Sequence, residues 1–205
     1  MKEFDNKFLT SEIKRIAGVD EAGRGPLAGP VVAAAVIFDD NTVIEKINDS
    51  KKLSEKVRNI LFDEILEKSR AYGIGIIDNN EIDEINILQA SLKAMKIACS
   101  KLQVEPDLIL IDGNKSFYTH VKTETIVKGD AKSQAIAAAS ILAKVTRDRL
   151  MEKYAENFPE YNWKKNKGYP TKEHREAVKK FGATELHRKS FLRKILEENE
   201  EKSLF

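Results

Sequence analysis

The chain has 205 residues, 41% of them hydrophobic, enough for one packed domain with at most an appendage. Charged residues make up 33%, above the usual ~25%, but a net charge of +2 does not by itself announce a nucleic-acid binder. One cysteine, Cys99, excludes an internal disulfide and a cysteine-built zinc site, and it reads as a buried small apolar residue. The amino terminus lacks a signal-peptide core and no apolar run is long enough to span a bilayer, so a cytoplasmic monomer is expected.

A first strand is expected over Ile13 to Val19, with Asp20-Glu21 at its end and a turn from Gly23 to Pro26. Val31 to Phe38 is β-branched and apolar, the pattern of a strand buried on both faces. Ser54 caps a helix over Glu55 to Arg70, with Val57, Ile60, Leu61, Ile65 and Leu66 on one side. Tyr72 to Ile77 reads as a third strand, weakened by Gly73 and Gly75. Glu84 to Leu102 has helical spacing, with Ile87, Leu88, Leu92, Met95 and Ala98 as the apolar stripe.

Leu108 to Ile111 is a short apolar strand stopped by Asp112-Gly113, and such a run suits the centre of a sheet. Thr123 to Val127 is the fifth strand, ended by Lys128-Gly129-Asp130. A long helix follows over Ser133 to Tyr154, and its alanines at 135, 137, 138 and 139 allow close approach to a sheet. Pro159 and Pro170 bracket an irregular segment, and two more helices are expected over Lys172 to Phe181 and Leu186 to Glu198. The element order is that of an α/β or α+β protein. The first three strands form an antiparallel meander only if the Glu55 to Arg70 helix interrupts it, and the pattern leaves that open. Residues 1–155 read as one core and 156–205 as a helical carboxyl-terminal region packed on it.

Acids close three strands: Asp20-Glu21, Asp112 and Asp130. If the fourth and fifth strands run parallel to the first, all four carboxylates meet at one sheet edge, where ligand sites of open α/β sheets lie. Clustered carboxylates need cations, and hard oxygen donors favour Mg²⁺ or Mn²⁺ over zinc. A pair of such ions ~3.5–4 Å apart is a known device for in-line phosphodiester cleavage. Taken singly, Asp112 before Gly113 is ordinary turn chemistry and Asp130 an ordinary helix cap.

Gly23, Arg24 and Gly25 offer backbone that approaches a ligand closely and a planar guanidinium; without Gly-Lys-Ser/Thr the turn is not a nucleotide-binding P-loop. Ser50, Lys51 and Lys52 before one helix, and Lys132 and Ser133 before another, are candidate phosphate contacts. Between Tyr161 and Lys194 stand eleven Lys or Arg and three Glu, a local charge of +8, the footprint of a polyanion partner. Trp163 and Tyr169 interleave with those bases, and His187 and Arg188 add cationic reach. The three histidines are too scattered to suggest a metal cluster.

Together these segments resemble ribonuclease HII. The matching pieces are GVDEAGRGPLAGPVV from Gly18, DSKKLS from Asp49, LILIDGN from Leu108, VKGDAKSQAIAAASILAKVTRD from Val127, GYPTKEH from Gly168 and HRKSF from His187, in order along nearly the whole chain. The resemblance implies an α/β, ribonuclease H-like fold, with a five-stranded mixed sheet flanked by helices and a helical carboxyl-terminal extension. It implies that Asp20, Glu21, Asp112 and Asp130 are metal-binding catalytic acids holding two Mg²⁺ or Mn²⁺ ions. It implies that the backbone at Gly23, Arg24 and Gly25 reads a ribose 2′-hydroxyl and that Tyr169 recognises the RNA-to-DNA junction. Arg24 and the aspartate at 130 favour this type over the related type III enzymes. The expected substrates are RNA–DNA hybrids and DNA duplexes with embedded ribonucleotides. The alternatives are a two-metal nuclease without ribose selectivity and a binding module whose acids merely end strands. Ser203, Leu204 and Phe205 look like a sliding-clamp binding tail.

Overall fold

The computed structural model describes residues 1–193. After a short helix α1 (Lys2–Asn6) come β1 (Ile16–Ala22), β2 (Val31–Ile37), α2 (Glu55–Lys68), β3 (Ala71–Ile77) and α3 (Asn79–Ser100). Then follow β4 (Leu108–Asp112), β5 (Lys122–Ile126), α4 (Gln134–Asn157), α5 (Trp163–Asn166) and α6 (Lys172–Phe181). The five strands form one sheet in the order β3-β2-β1-β4-β5. β1, β2 and β3 make the antiparallel meander, and β4 and β5 run parallel to β1.

Why β2 is apolar throughout is now plain, because both of its faces are covered. Ala33, Ala35 and Ile37 pack with Ala17, Val19, Ile109 and Ile111 under Ala90, Ala94 and Met95 of α3. Ala34 and Val36 face the opposite way, toward Leu61 and Ile65 of α2 and Ala138, Ile141 and Leu142 of α4. The helix between β2 and β3 packs on α4, so it interrupts the meander in sequence and not in space. The small residues set the spacing of these layers. A Cβ at Gly18 would collide with the backbone of Ala135 and Ile136, and one at Gly73 or Gly75 with carbonyls of α3. The glycines that weaken β3 as a strand are what let α3 lie on it.

Several boundaries move. β1 begins at Ile16, not Ile13, and runs through Asp20 and Glu21 to Ala22, so the acids lie inside the strand. α3 begins at Asn79, capped by Asp78, and contains a kink at Asn86 (φ 65°), where the Asn86 side chain accepts from the amides of Leu88 and Gln89. The last described helix does not begin at Leu186. Residues 186–188 are a turn and a bridge, and helix starts at Lys189, where Asp83 of α3 accepts from the amides of Lys189 and Ser190. The carboxyl-terminal residues share an apolar cluster with the core: Tyr161, Trp163, Val178 and Leu192 pack on Leu27, Ala28 and Met151. No described helix is long and apolar enough to cross a membrane. The expected clamp tail, Ser203 to Phe205, lies outside the described residues.

Candidate active site

The parallel register of β1 and β4 pairs Val19 with Ile111, so the next residues, Asp20 and Asp112, emerge side by side at the carboxyl ends of two central strands. Asp20 is buried, and its Oδ1 accepts from the Glu21 amide at 2.7 Å. Asp112 Oδ1 accepts from the amides of Gly129 at 2.7 Å and Asp130 at 3.4 Å, which draws the turn after β5 against the end of β4. Asp130 sits in that turn, with the Lys51 Nζ 3.8 Å from its Oδ2.

The electrostatics of this corner are unfavourable to the ionised acids. Burial, then the charges of Glu21 and Asp112, hold the Asp20 carboxyl well above the ordinary carboxylate range, against a hydrogen bond from Ser140. Glu21 is raised by burial and Asp112, with Arg24 opposing. Asp130 is raised by burial, Asp112 and Asp49, with Lys51 opposing. Burial works against the Lys51 ammonium, yet the surrounding Asp130, Asp20, Asp49 and Asp112 raise it on balance. Asp112 is the acid common to all three carboxyl shifts, and among the acids it is what joins Asp130 to Asp20 and Glu21.

Asp20, Glu21 and Asp112 line a cavity of about 600 Å³ together with Gly23, Arg24, Gly25, Ser50, Lys51, Ser140, Lys144 and Tyr169. Among the described residues no group of three or more His, Cys, Asp or Glu side chains is arranged to hold a metal ion as it stands. The donor set is nevertheless that of a hard cation, all carboxylate oxygen, and the mutual repulsion at Asp20 is what a divalent ion would relieve. The residues fit Mg²⁺ or Mn²⁺.

Gly23 turns the chain after β1 with φ +102°, and a Cβ there would strike the Arg147 side chain and Pro30 O. A Cβ at Gly25 would meet Tyr169 Cε1 at 3.9 Å, an ordinary van der Waals contact. Arg24 reaches back to Glu21, Nη1 to Oε1 3.4 Å. Tyr169 stands across the cavity, half-exposed, between the Lys144 Nζ at 5.4 Å and the Arg147 Cζ at 5.6 Å from its ring centre. Its carbonyl accepts from His174 Nδ1.

Several sequence expectations are corrected here. Ser133 is fully buried and caps α4, its Oγ accepting from the Ile136 amide at 3.1 Å, so it is not a surface phosphate contact and Asp130 is not the cap. Ser50 is buried at the cavity wall, its Oγ 2.9 Å from Ser140 Oγ. Lys52 and Lys132 are exposed, and Lys132 donates to Val127 O. His187 and Arg188 were expected at the surface and are interior, 1% and 0% exposed. His187 Nδ1 accepts from the Thr184 amide at 3.0 Å, and its Nε2 lies 3.1 Å from His174 Nε2. Burial lowers both imidazoles, His187 to about 4, so they are neutral packing groups beside Tyr161 and Trp163. Arg188 donates to main-chain carbonyls of the 23–30 loop. Sequence reasoning missed Ser140, Lys144 and Arg147. Their spacing of four and three puts them on one face of α4, and that polar stripe continuing from the alanine-rich first turns was the available signal.

A five-stranded mixed sheet with helices on both faces, and acids at the ends of its central β1 and β4, defines a nuclease of the ribonuclease H-like fold. The family model described as Ribonuclease HII matches residues 17–194. A Ribonuclease HII of Clostridioides difficile is 54% identical over 94% of this chain and 76% of its own length. The ribonuclease H2 of Pyrococcus horikoshii superposes with a TM-score of 0.74 at 29% identity, covering 90% of this chain and 98% of that one. The Archaeoglobus fulgidus protein in a PCNA:RNase HII complex superposes at 0.72 with 27% identity, over 85% and 94%. The chain belongs to the ribonuclease HII family, endonucleases that hydrolyse the RNA strand of RNA–DNA hybrids.

Proposed function

We propose that this site cuts on the 5′ side of single ribonucleotides embedded in duplex DNA as well as within hybrids, by in-line hydrolysis leaving 3′-hydroxyl and 5′-phosphate ends. The observation that carries the reading is a single cavity in which Gly23, Arg24 and Gly25 of the turn and Tyr169 stand with Asp20, Glu21 and Asp112. Gly25 presents bare backbone to that cavity, where an added Cβ would come into contact with Tyr169. The 2′-hydroxyl is the one group separating ribose from deoxyribose, so selectivity must come from contacts there. Contacts to sugar and phosphate carry no base information, so any base is accepted.

Asp20, Glu21, Asp112 and Asp130 would hold the divalent ions. Bound there, two such ions would supply a water of lowered pKa and a counter-charge for the departing 3′ oxygen. The chain's own part is to fix the scissile phosphate. Asp20 and Asp112 are held rigid by their strands and by main-chain amides, Lys51 and Lys144 lend positive charge at the rim, and Tyr169 gives the neighbouring sugar a flat apolar wall. Lys52 and Lys132, exposed outside the cavity, remain available to flanking phosphates.

The test is cleavage mapping on a duplex bearing one ribonucleotide, with and without magnesium or manganese, beside the same duplex in all-DNA form. A single metal-dependent cut 5′ of the ribonucleotide, and an intact all-DNA control, is the expected result. Cutting of both duplexes would favour a nuclease without ribose selectivity. We also propose that Ser203, Leu204 and Phe205 bind a sliding clamp, a reading supported by the clamp complex of the Archaeoglobus relative. Deleting those three residues should weaken clamp binding and leave hybrid cleavage intact; an unchanged clamp affinity would refute the assignment.

A further inference from the structure

The two arginines that correct the surface expectation are the starting point. Arg147 and Arg188 are both fully buried, and each spends its guanidinium on main-chain oxygen. Arg188 donates to the carbonyls of Gly23 at 2.7 Å, Arg24 at 3.1 Å, Pro26 at 3.0 Å, Gly29 at 3.0 Å and Pro30 at 3.1 Å. Arg147 takes the other side of the same loop, donating to Ala28, Pro30 and Lys167 carbonyls. Burial of two cations is costly, and a fold keeps it only where the hydrogen bonds are many and well directed.

A trans peptide points its carbonyl and its following amide in opposite directions, and the described chain contains no cis peptide. With the Gly23 and Arg24 carbonyls fixed inward on Arg188, the amides of Arg24 and Gly25 are turned away from the interior. Outward is the cavity that these residues line with Asp20, Asp112 and Tyr169. Two successive amides facing one way, with a buried cation behind them, make a site for an oxygen acceptor.

We propose that Arg188 is a positioning residue for sugar selectivity: it locks the turn so that the Arg24 and Gly25 amides face the ribose 2′-oxygen. The inference rests on the reading that this turn contacts the ribose. Arg147 completes the clamp and ties the turn to Tyr169, since it bonds Lys167 O and lies against the tyrosine ring. Neither arginine touches substrate.

The test is Arg188→Lys in an Asp112→Asn background, expected to bind without cutting. Lysine keeps the charge, but its single ammonium cannot span five carbonyls. Binding is measured to a duplex with one ribonucleotide and to the all-DNA duplex of the same sequence. The expected result is about a tenfold loss of affinity for the ribonucleotide duplex, the scale of one lost hydrogen bond, with all-DNA affinity held within about twofold. A merely structural role would weaken both duplexes alike, and that outcome, or no loss at all, overturns the proposal. If the protein with arginine at 188 binds both duplexes equally, the ribose reading itself fails, a distinct result. Should Arg188→Lys not fold, Arg147→Lys in the same background decides, since it loosens the other half of the clamp on Ala28, Pro30 and Lys167 carbonyls. A loss confined to the ribonucleotide duplex supports the clamp; equal losses on both duplexes, or none, overturn it.

Discussion

β1 and β4 carry aspartates at both ends of their pairing, and the two ends treat them in opposite ways. At the start of β4, Asp107 accepts from the amides of Lys14 and Arg15 and from the Arg15 guanidinium, Nη2 to Oδ1 2.6 Å, and this pairing holds its carboxyl well below the ordinary range. At the finish of the same two strands, Asp20 is buried against Glu21 and Asp112 and held well above it. One end is satisfied by protein alone. The other is assembled against its own repulsion, which is the mark of a site that awaits a ligand. The fold gains nothing from bringing those acids together, so their cost points to chemistry.

Breaking the repulsive end has the largest expected effect. Asp20→Asn or Asp112→Asn keeps shape and removes charge, and single-turnover cleavage of a hybrid should fall by about 10³-fold or more, while hybrid affinity survives. Full activity in either variant would dissolve the contrast, since the acids would then be strand endings and nothing else. Tyr169→Ala comes next. It removes the wall opposite Gly25 and should lower cleavage at a lone ribonucleotide by about tenfold, the scale of one lost sugar or base stack, with much less effect on general duplex affinity. Equal losses would make Tyr169 a packing residue.

The sequence carried the acids and the layers better than it carried the loops. A continuous apolar run is a local signal, so β2 and β4 were legible as fully buried strands, and the parallel pairing that makes Asp20 and Asp112 neighbours followed once the order of strands was granted. His187 and Arg188 were not legible, because a basic run looks the same whether its side chains face water or main-chain carbonyls. Only the folded loop, with five carbonyls converging on one point, makes an interior arginine favourable. Ser133 and Asp130 show the same limit at short range. Both are competent helix caps, and the turn begun by Lys128 at φ 57° decides between them.

Stability should answer oppositely to pH at the two ends, with smaller effects than those on activity. The Asp20 carboxyl is raised on folding, so its native form keeps a proton that the unfolded chain releases. That contribution is complete below the unfolded value of about 4 and is lost as pH rises through the folded one. Asp20→Asn removes the loss. Its Tm should exceed that of the parent at pH 8, by about 2–4 °C for each kcal/mol recovered, and the gap should close toward pH 4. A Tm below the parent at pH 8 would show that the carboxylate is needed for folding.

Asp107 gives the smallest effect and the reversed sign. Its folded value is depressed, so it stabilises at pH above the unfolded value of about 4 and its contribution disappears as pH falls through the folded one. The Arg15 partner is partly exposed and screened by solvent, so the ion pair itself adds little; the two main-chain amides that Asp107 accepts are the larger part. Both amides donate to Oδ2, so Asp107→Asn can keep both with its carbonyl oxygen there, but it loses their charge assistance and the acceptance from Arg15 Nη2 at Oδ1. Its Tm should fall below the parent by about 2–4 °C at pH 7, with the difference shrinking below pH ~4 and hybrid cleavage unaffected. A variant that loses cleavage as well would mean that the two ends of β4 are coupled, with the repulsive end held in register by the satisfied one.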